Sequence, residues 1–432
     1  MARSGAASTA EWFQRAALLG NRQAIALISI PTDLSPAAGP LPETGQDIYV
    51  RQLADALVGL GWQVDVFTLR QHPAQQTLRE PAPYQRWICL GDLPHNDERR
   101  AERVFEVLPA FLVAFEQFQT KQGSQYPLVH TNGWLAAWVG LQLKQRRSLQ
   151  VVHTPHTLAD GQEDLAVCIQ RRQIEREILT LADRVVATSP REAEQMRALV
   201  PDARIEVIPC GTDTLNFRPL VRSEARQMLG LAEAAPVLVY VGRFERSKGL
   251  ETLVRAFHAW LMAHPDPMAR LLLVGSRDVD REAVRESARI EALVAELGLT
   301  AQVRWSGYVE PTWLPLHYSA ADACLIPSED ERFGLPALEA MACGTPVIAS
   351  DVGGLRFTVV PERTGLLVRP GDVAGFATAI AQVLRHDLWT ERLRRQGGSA
   401  LDAQFTWPGV AAQLSDRYRR CLVNALLGEQ VA

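Results

Sequence analysis

The 432-residue sequence contains no run of about 18 consecutive apolar residues, so no segment is expected to cross a bilayer as a helix. Its first residues, Met1 to Ala10, are small and polar without an apolar stretch, which argues against a secretory signal there. The six cysteines, Cys89, Cys168, Cys210, Cys324, Cys343 and Cys421, are scattered and form no C-x-x-C pair. That spacing offers neither a zinc ribbon nor a thioredoxin-like motif, and it fits a reducing, cytoplasmic setting. Cys324 and Cys343 sit in apolar runs and are expected as buried thiols. A net charge of −4 leaves no overall basic field for nucleic acid or an anionic membrane. There is no low-complexity tract, tandem repeat, Walker sequence or G-x-S-x-G elbow.

What is present is the 47% hydrophobic, 22% charged composition of a globular protein, long enough for two or three domains. Short apolar strands alternate with amphipathic stretches. Ala24–Ile30, Gln63–Phe67, Leu128–His130, Val151–Thr154, Arg184–Thr188 and Ile205–Ile208 form one series of strands. Val237–Val241, Leu271–Val274, Val303–Trp305, Ala323–Pro327, Val347–Ser350 and Gly365–Val368 form a second. Helical patterns such as Ile48–Leu60 and Ala101–Phe118 lie between them. This order predicts an α/β chain of two doubly wound, parallel-sheet domains. The join is expected near Asn216–Arg222, after the Pro209–Asp213 turn, giving domains of 1–217 and 218–406 and a final amphipathic helix in 407–432. A ligand is expected in a cleft between the domains, at the carboxyl ends of the strands. Glu11–Gly20 reads as a short helix capping the first domain, with membrane contact as the alternative.

The densest signal is Glu331-Arg332-Phe333-Gly334-Leu335-Pro336-Ala337-Leu338-Glu339, followed by Ala340-Met341-Ala342-Cys343-Gly344-Thr345-Pro346-Val347-Ile348. It predicts a loop, a short helix and a buried strand. Pro336 suits the first helical turn and Gly344 the residue just past the end. Two carboxylates, Glu331 and Glu339, flank a helix N-terminus that favours anions. Such a layout suits phosphates on backbone amides with sugar and ribose hydroxyls on the two carboxylates.

This stretch resembles the donor site of retaining GT-B glycosyltransferases, in particular glycosyltransferase family 4, which carries E-x7-E around F-G-L and then E-A-M-A-x-G-x-P-V. The resemblance covers roughly Ala24 to Leu427. It implies a GT-B fold, with two Rossmann-like domains facing a cleft and the last helix crossing back to the first domain. The family pattern G-R-x-x-x-x-K-G matches Gly242-Arg243 through Lys248-Gly249. Arg243 and Lys248 would then meet the diphosphate leaving group, whose charge grows as the glycosidic bond breaks. Gly334, Leu335 and Glu339 would complete the nucleotide side. Arg246, in the same turn, is read as solvated.

Thr44-Gly45-Gln46-Asp47-Ile48-Tyr49-Val50 resembles the T-G-G-Q-x-x-Y-V run of the branch containing sucrose-phosphate synthases and inositol-phosphate glycosyltransferases, with one glycine where two are usual. The resemblance implies that Gly45 faces the donor phosphate and Gln46 the acceptor. In Val151-Val152-His153-Thr154-Pro155-His156-Thr157 it implies that His156 faces the transferred sugar and Thr157 the acceptor, while His153 is read as a packed core residue. Arg171 and Arg172 would bind an acceptor phosphate, with Arg100 or Arg103 as weaker candidates. The catalytic set is thus His156, Glu331, Arg243 and Lys248. Asp278-Val279-Asp280 spells D-x-D but is read as a solvated loop, and no metal or cofactor is expected. UDP-glucose is the implied donor and co-substrate, and fructose 6-phosphate the implied acceptor. An inositol phosphate, a lipid acceptor, or a non-catalytic nucleotide-sugar-binding protein are the alternatives.

Overall fold

The computed structural model describes residues 22–30, 45–70, 75–92, 101–159, 165–276, 281–385, 388–399, 401 and 403–427. The Glu11–Gly20 segment, Arg100, and the Asp278 and Asp280 pair lie outside them. The described residues divide into two compact units, one holding those up to Ile208 together with Trp407–Leu427, the other Pro209–Thr406.

The first unit has strands β1 (Gln23–Ser29), β2 (Trp62–Arg70), β3 (Leu78–Ala82), β4 (Gln85–Asp92), β5 (Leu128–Asn132), β6 (Gln150–Thr154), β7 (Arg184–Ala187) and β8 (Ile205–Val207). They form one sheet in the order β3-β4-β2-β1-β5-β6-β7-β8. Ile25, Ala26, Leu27 and Ile28 are all fully buried, as expected of a strand covered on both faces. Every neighbouring pair is parallel except β3 and β4, which run antiparallel. This antiparallel pair adds an edge hairpin to the expected parallel sheet. The β3–β4 hairpin escaped the sequence pattern because Leu78-Arg79-Glu80-Pro81-Ala82 carries two charges and a proline, residues that an edge strand tolerates.

The last helix, Trp407–Leu427, belongs to this first unit. Trp407, Val410, Leu414, Tyr418 and Leu422 are buried. Trp407 meets Tyr49 edge-on at 5.5 Å, and Trp62 Nε1 donates to Ser415 Oγ at 2.8 Å.

The second unit has β9 (Val237–Val241), β10 (Arg270–Val274), β11 (Val303–Gly307), β12 (Ala323–Ile326), β13 (Val347–Ser350) and β14 (Gly365–Val368), all parallel, in the order β11-β10-β9-β12-β13-β14. Alternate residues of β9 serve opposite faces. Leu238 and Tyr240 join the apolar cluster around the helix Leu250–Ala263, while Val237 and Val239 join the one around the helix Leu335–Ala342. Both faces are therefore covered, as a doubly wound sheet requires. Phe217 is buried in the second cluster, and Thr212 N donates to Phe405 O at 2.8 Å. Those contacts move the boundary to Pro209, ahead of the Asn216–Arg222 join read from the sequence. The architecture is GT-B: two Rossmann-like α/β units.

Candidate active site

In the second sheet the chain steps outward from β9 to β10 and β11, then returns to the other side of β9 with β12. Loops leaving β9 and β12 diverge at that reversal and leave room for a ligand at the strand ends. Lys248 follows β9, and Glu331 follows β12. Lys248 Nζ lies 2.9 Å from Glu331 Oε2, so the structure brings together two residues 83 positions apart in sequence. Both side chains are mostly buried. Backbone contacts fix the two loops: Glu329 N donates to Ser247 O at 2.7 Å, and Gly354 N donates to Glu331 O at 2.8 Å. At Gly353 (φ 46°) a Cβ would stand 1.9 Å from Glu331 O, and at Gly249 (φ 67°) one would stand 2.1 Å from Pro327 O. Close approach of two backbones, rather than a simple turn, explains these glycines.

Arg243 stands apart from that pair. Its side chain is 63% exposed and lies 2.6 Å from Glu245 Oε1 within its own turn. Tyr240 OH donates to Arg243 O at 2.7 Å and holds the turn's backbone. Arg246 is exposed. Gly334 precedes the helix Leu335–Ala342, whose first turn contains Pro336. That helix ends in paired bonds, Gly344 N to Met341 O and Thr345 N to Ala340 O, both 2.9 Å. Inside the helix, Glu339 Oε2 accepts from Tyr318 OH at 2.7 Å. Burial pushes the Glu339 carboxyl up to about 7, against a smaller lowering by the Tyr318 hydroxyl.

The first sheet reverses in the same way between β1 and β5. The helix Gly45–Gly59 follows β1 and starts at Gly45. Gln46 Nε2 donates to Ser29 Oγ at 2.7 Å and to Asn132 O at 3.2 Å, joining the ends of β1 and β5. The Gln46 amide thus braces the reversal.

His156 follows β6. It is buried and has φ 60°, a left-handed conformation uncommon outside glycine. Its Nε2 lies 3.0 Å from Asn132 Oδ1, and the Tyr49 ring meets it edge-on at 4.8 Å. Burial lowers the His156 imidazole to about 3, with the neighbouring His153 adding to the effect. His153 is a core residue bonded to Thr131 Oγ1 at 2.9 Å.

Arg171 is buried. Its Nη2 donates to Thr157 O (2.9 Å) and Thr157 Oγ1 (2.6 Å), and its Nε to Glu175 Oε1 (2.8 Å). Glu175 in turn accepts from Ala159 N. Arg171 therefore shapes the loop carrying Thr157. Arg172, one position on, is exposed, and so is Arg103. One residue along a helix turns a side chain by about 100°, which separates the two arginines' surroundings.

Residues 44–211 match the family described as "Glycosyl transferase 4-like domain", and 221–400 match "Glycosyl transferases group 1". A D-inositol 3-phosphate glycosyltransferase of Nocardia farcinica is 34% identical over 410 residues, 92% of this chain and 89% of that protein. The chain belongs to glycosyltransferase family 4. A solved sucrose-phosphate synthase from Thermosynechococcus elongatus is similar to this glycosyltransferase with TM-score 0.82 and 41% identity, covering 93% of this chain and all of that one. HepE of Anabaena, solved in complex with UDP-glucose, shares the fold with TM-score 0.69 and 18% identity over 91% of this chain and 99% of its own.

Several residues around the glycosyltransferase's strand ends carry no signal in the sequence. Asn132 and Ser29 reach the first site from two elements, and Tyr318 reaches the second. Each is an ordinary residue type whose job appears only when distant segments meet. Among the described residues no cluster of three His, Cys, Asp or Glu could hold a metal, and no helix is long and apolar enough to cross a membrane.

Proposed function

We propose that this glycosyltransferase moves glucose from UDP-glucose to a sugar phosphate, with fructose 6-phosphate as the first acceptor to test and sucrose 6-phosphate as its product. The observation that carries the reaction is the Lys248–Glu331 pair at the second sheet's strand reversal. A cation meets the departing diphosphate there, beside a carboxylate able to accept sugar hydroxyls. Arg243 is the second cation, and Glu339 takes the ribose diol. In the reaction the bond from C1 to the diphosphate oxygen breaks and a bond from C1 to the acceptor oxygen forms on the same face. The acceptor proton passes to the departing phosphate. Fixed cations lower the barrier because negative charge grows on that phosphate in the transition state. His156 faces the transferred sugar as a neutral imidazole. Arg171 serves the acceptor by holding the Thr157 loop, and Arg172 offers an exposed guanidinium for its phosphate.

The fructose 6-phosphate reading draws on the 41% identity to a sucrose-phosphate synthase. An inositol phosphate acceptor is the second reading, favoured by the 34% identical D-inositol 3-phosphate glycosyltransferase. Incubation with UDP-, ADP- and GDP-glucose, each with fructose, fructose 6-phosphate or inositol phosphates, separates them by mass spectrometry of the products. UDP release with a disaccharide phosphate, undiminished by EDTA, is the expected outcome. Product formed with the inositol phosphate alone would select the second reading, and no transfer from any donor would overturn both. Lys248→Ala is expected to lower kcat about 10²–10³-fold with a smaller change in donor KM.

A further inference from the structure

We propose that Asn132 is a positioning residue that fixes His156 as the neutral imidazole protonated on Nε2. The inference rests on the reading that His156 faces the sugar, and it concerns how that face is set. Asn132 ends β5 and is fully buried. Its amide nitrogen points to His130 O at 3.4 Å, which assigns the amide orientation and turns Oδ1 toward His156. An amide oxygen accepts only, so Nε2 must carry the proton and Nδ1 the lone pair. Nδ1 is then the ring's hydrogen-bond acceptor, which an imidazolium lacks.

Three further contacts hold this arrangement. Asn132 O accepts from Gln46, so the same residue is braced through its backbone as well as its side chain. Tyr49, from the helix Gly45–Gly59, packs edge-on against the imidazole and adds no charge. His153, from β6, sits nearby with its own ring lowered to about 3 by burial, so it too is neutral. A left-handed backbone at a non-glycine residue persists only where neighbours over-determine it, and residue 156 meets that condition.

The test uses the full chain with 15N-labelled histidine. In the wild type, the His156 ring is expected to show a protonated Nε2 and an unprotonated Nδ1, unchanged by pH wherever the protein is folded. Asn132→Ala should mix the tautomers and lower kcat/KM for the donor about 10- to 100-fold, the range for losing a buried hydrogen-bond partner. Asn132→Asp keeps the shape and places a carboxylate on Nε2, which favours the imidazolium. Its activity should therefore fall at low pH and recover as pH rises, an acid limb absent from the wild type. This isosteric variant keeps the proposal testable if the alanine variant does not fold. A wild-type ring protonated on Nδ1, or an aspartate variant with wild-type tautomer and pH profile, would overturn it. His156→Ala separates the two levels. Full activity there removes the reading of His156 itself, whereas an inactive His156→Ala beside wild-type-like Asn132 variants removes this inference alone.

Discussion

Glu339 holds a carboxyl that its surroundings prefer uncharged. Its folded value is about 7 against an ordinary 4.5, with burial as the main cause. Between those values the folded chain binds the extra proton. This residue's stability contribution is therefore most favourable below 4.5 and declines as pH rises, the decline being complete above about 7. Glu339→Gln should raise the melting temperature of the ligand-free protein at pH 8, because the buried charge is gone while Tyr318 OH keeps an acceptor. The same variant should lose most of the melting-temperature shift that UDP-glucose produces. A fall at pH 8 would contradict the burial argument, and an undiminished donor shift would remove Glu339 from the ribose site. A stabilising change that costs ligand binding is the expected behaviour of a functional carboxylate.

At the scale of elements, the short helix Leu335–Ala342 was legible because its boundary residues are chemically special: Pro336 at the start and Gly344 past the end. Lys248 and Glu331 were legible as motif members, but their 2.9 Å pairing was not, since 83 residues separate them. In the sequence Gly353 reads equally as a turn glycine or as one lining the donor cleft. Its need for glycine comes from Glu331 O, which a Cβ would meet at 1.9 Å. Gly353→Ala must push the Glu331 loop away, and displacing a reacting group by about 1 Å typically costs on the order of 10²-fold in rate. The control is Gly230→Ala, where φ is 63° but nothing stands within 4 Å of the added carbon. That variant bears the backbone strain alone and should keep wild-type kcat. Equal kinetics in the two variants would show that the Glu331 contact is unimportant. Asn132 and Tyr318 were illegible because their contacts are non-local. Their partners lie on other elements, and their residue types are common at strand ends and in helices.

For the whole molecule, the alternation of strands and helices gave two doubly wound units, while the β3–β4 hairpin and the position of the boundary came from packing. Edge charges hid the first, and the burial of Phe217 decided the second. The final helix supplies Trp407 to Tyr49, Ser415 to Trp62 and Tyr418 to His130, the last at 2.6 Å. A chain ending at Thr406 should therefore lose cooperative folding in the first unit while 209–406 stays compact. Limited proteolysis would check this, with early cuts confined to residues before Pro209. Equal resistance of both units would mean the helix is dispensable. The described part of the second unit is one continuous piece whose two ends meet at Thr212 and Phe405. On the ribosome that piece emerges before Trp407–Leu427 is made. The first unit must wait for that helix, so its sheet is made before the second unit yet completed after it, with its apolar helix seat open to chaperones in the meantime.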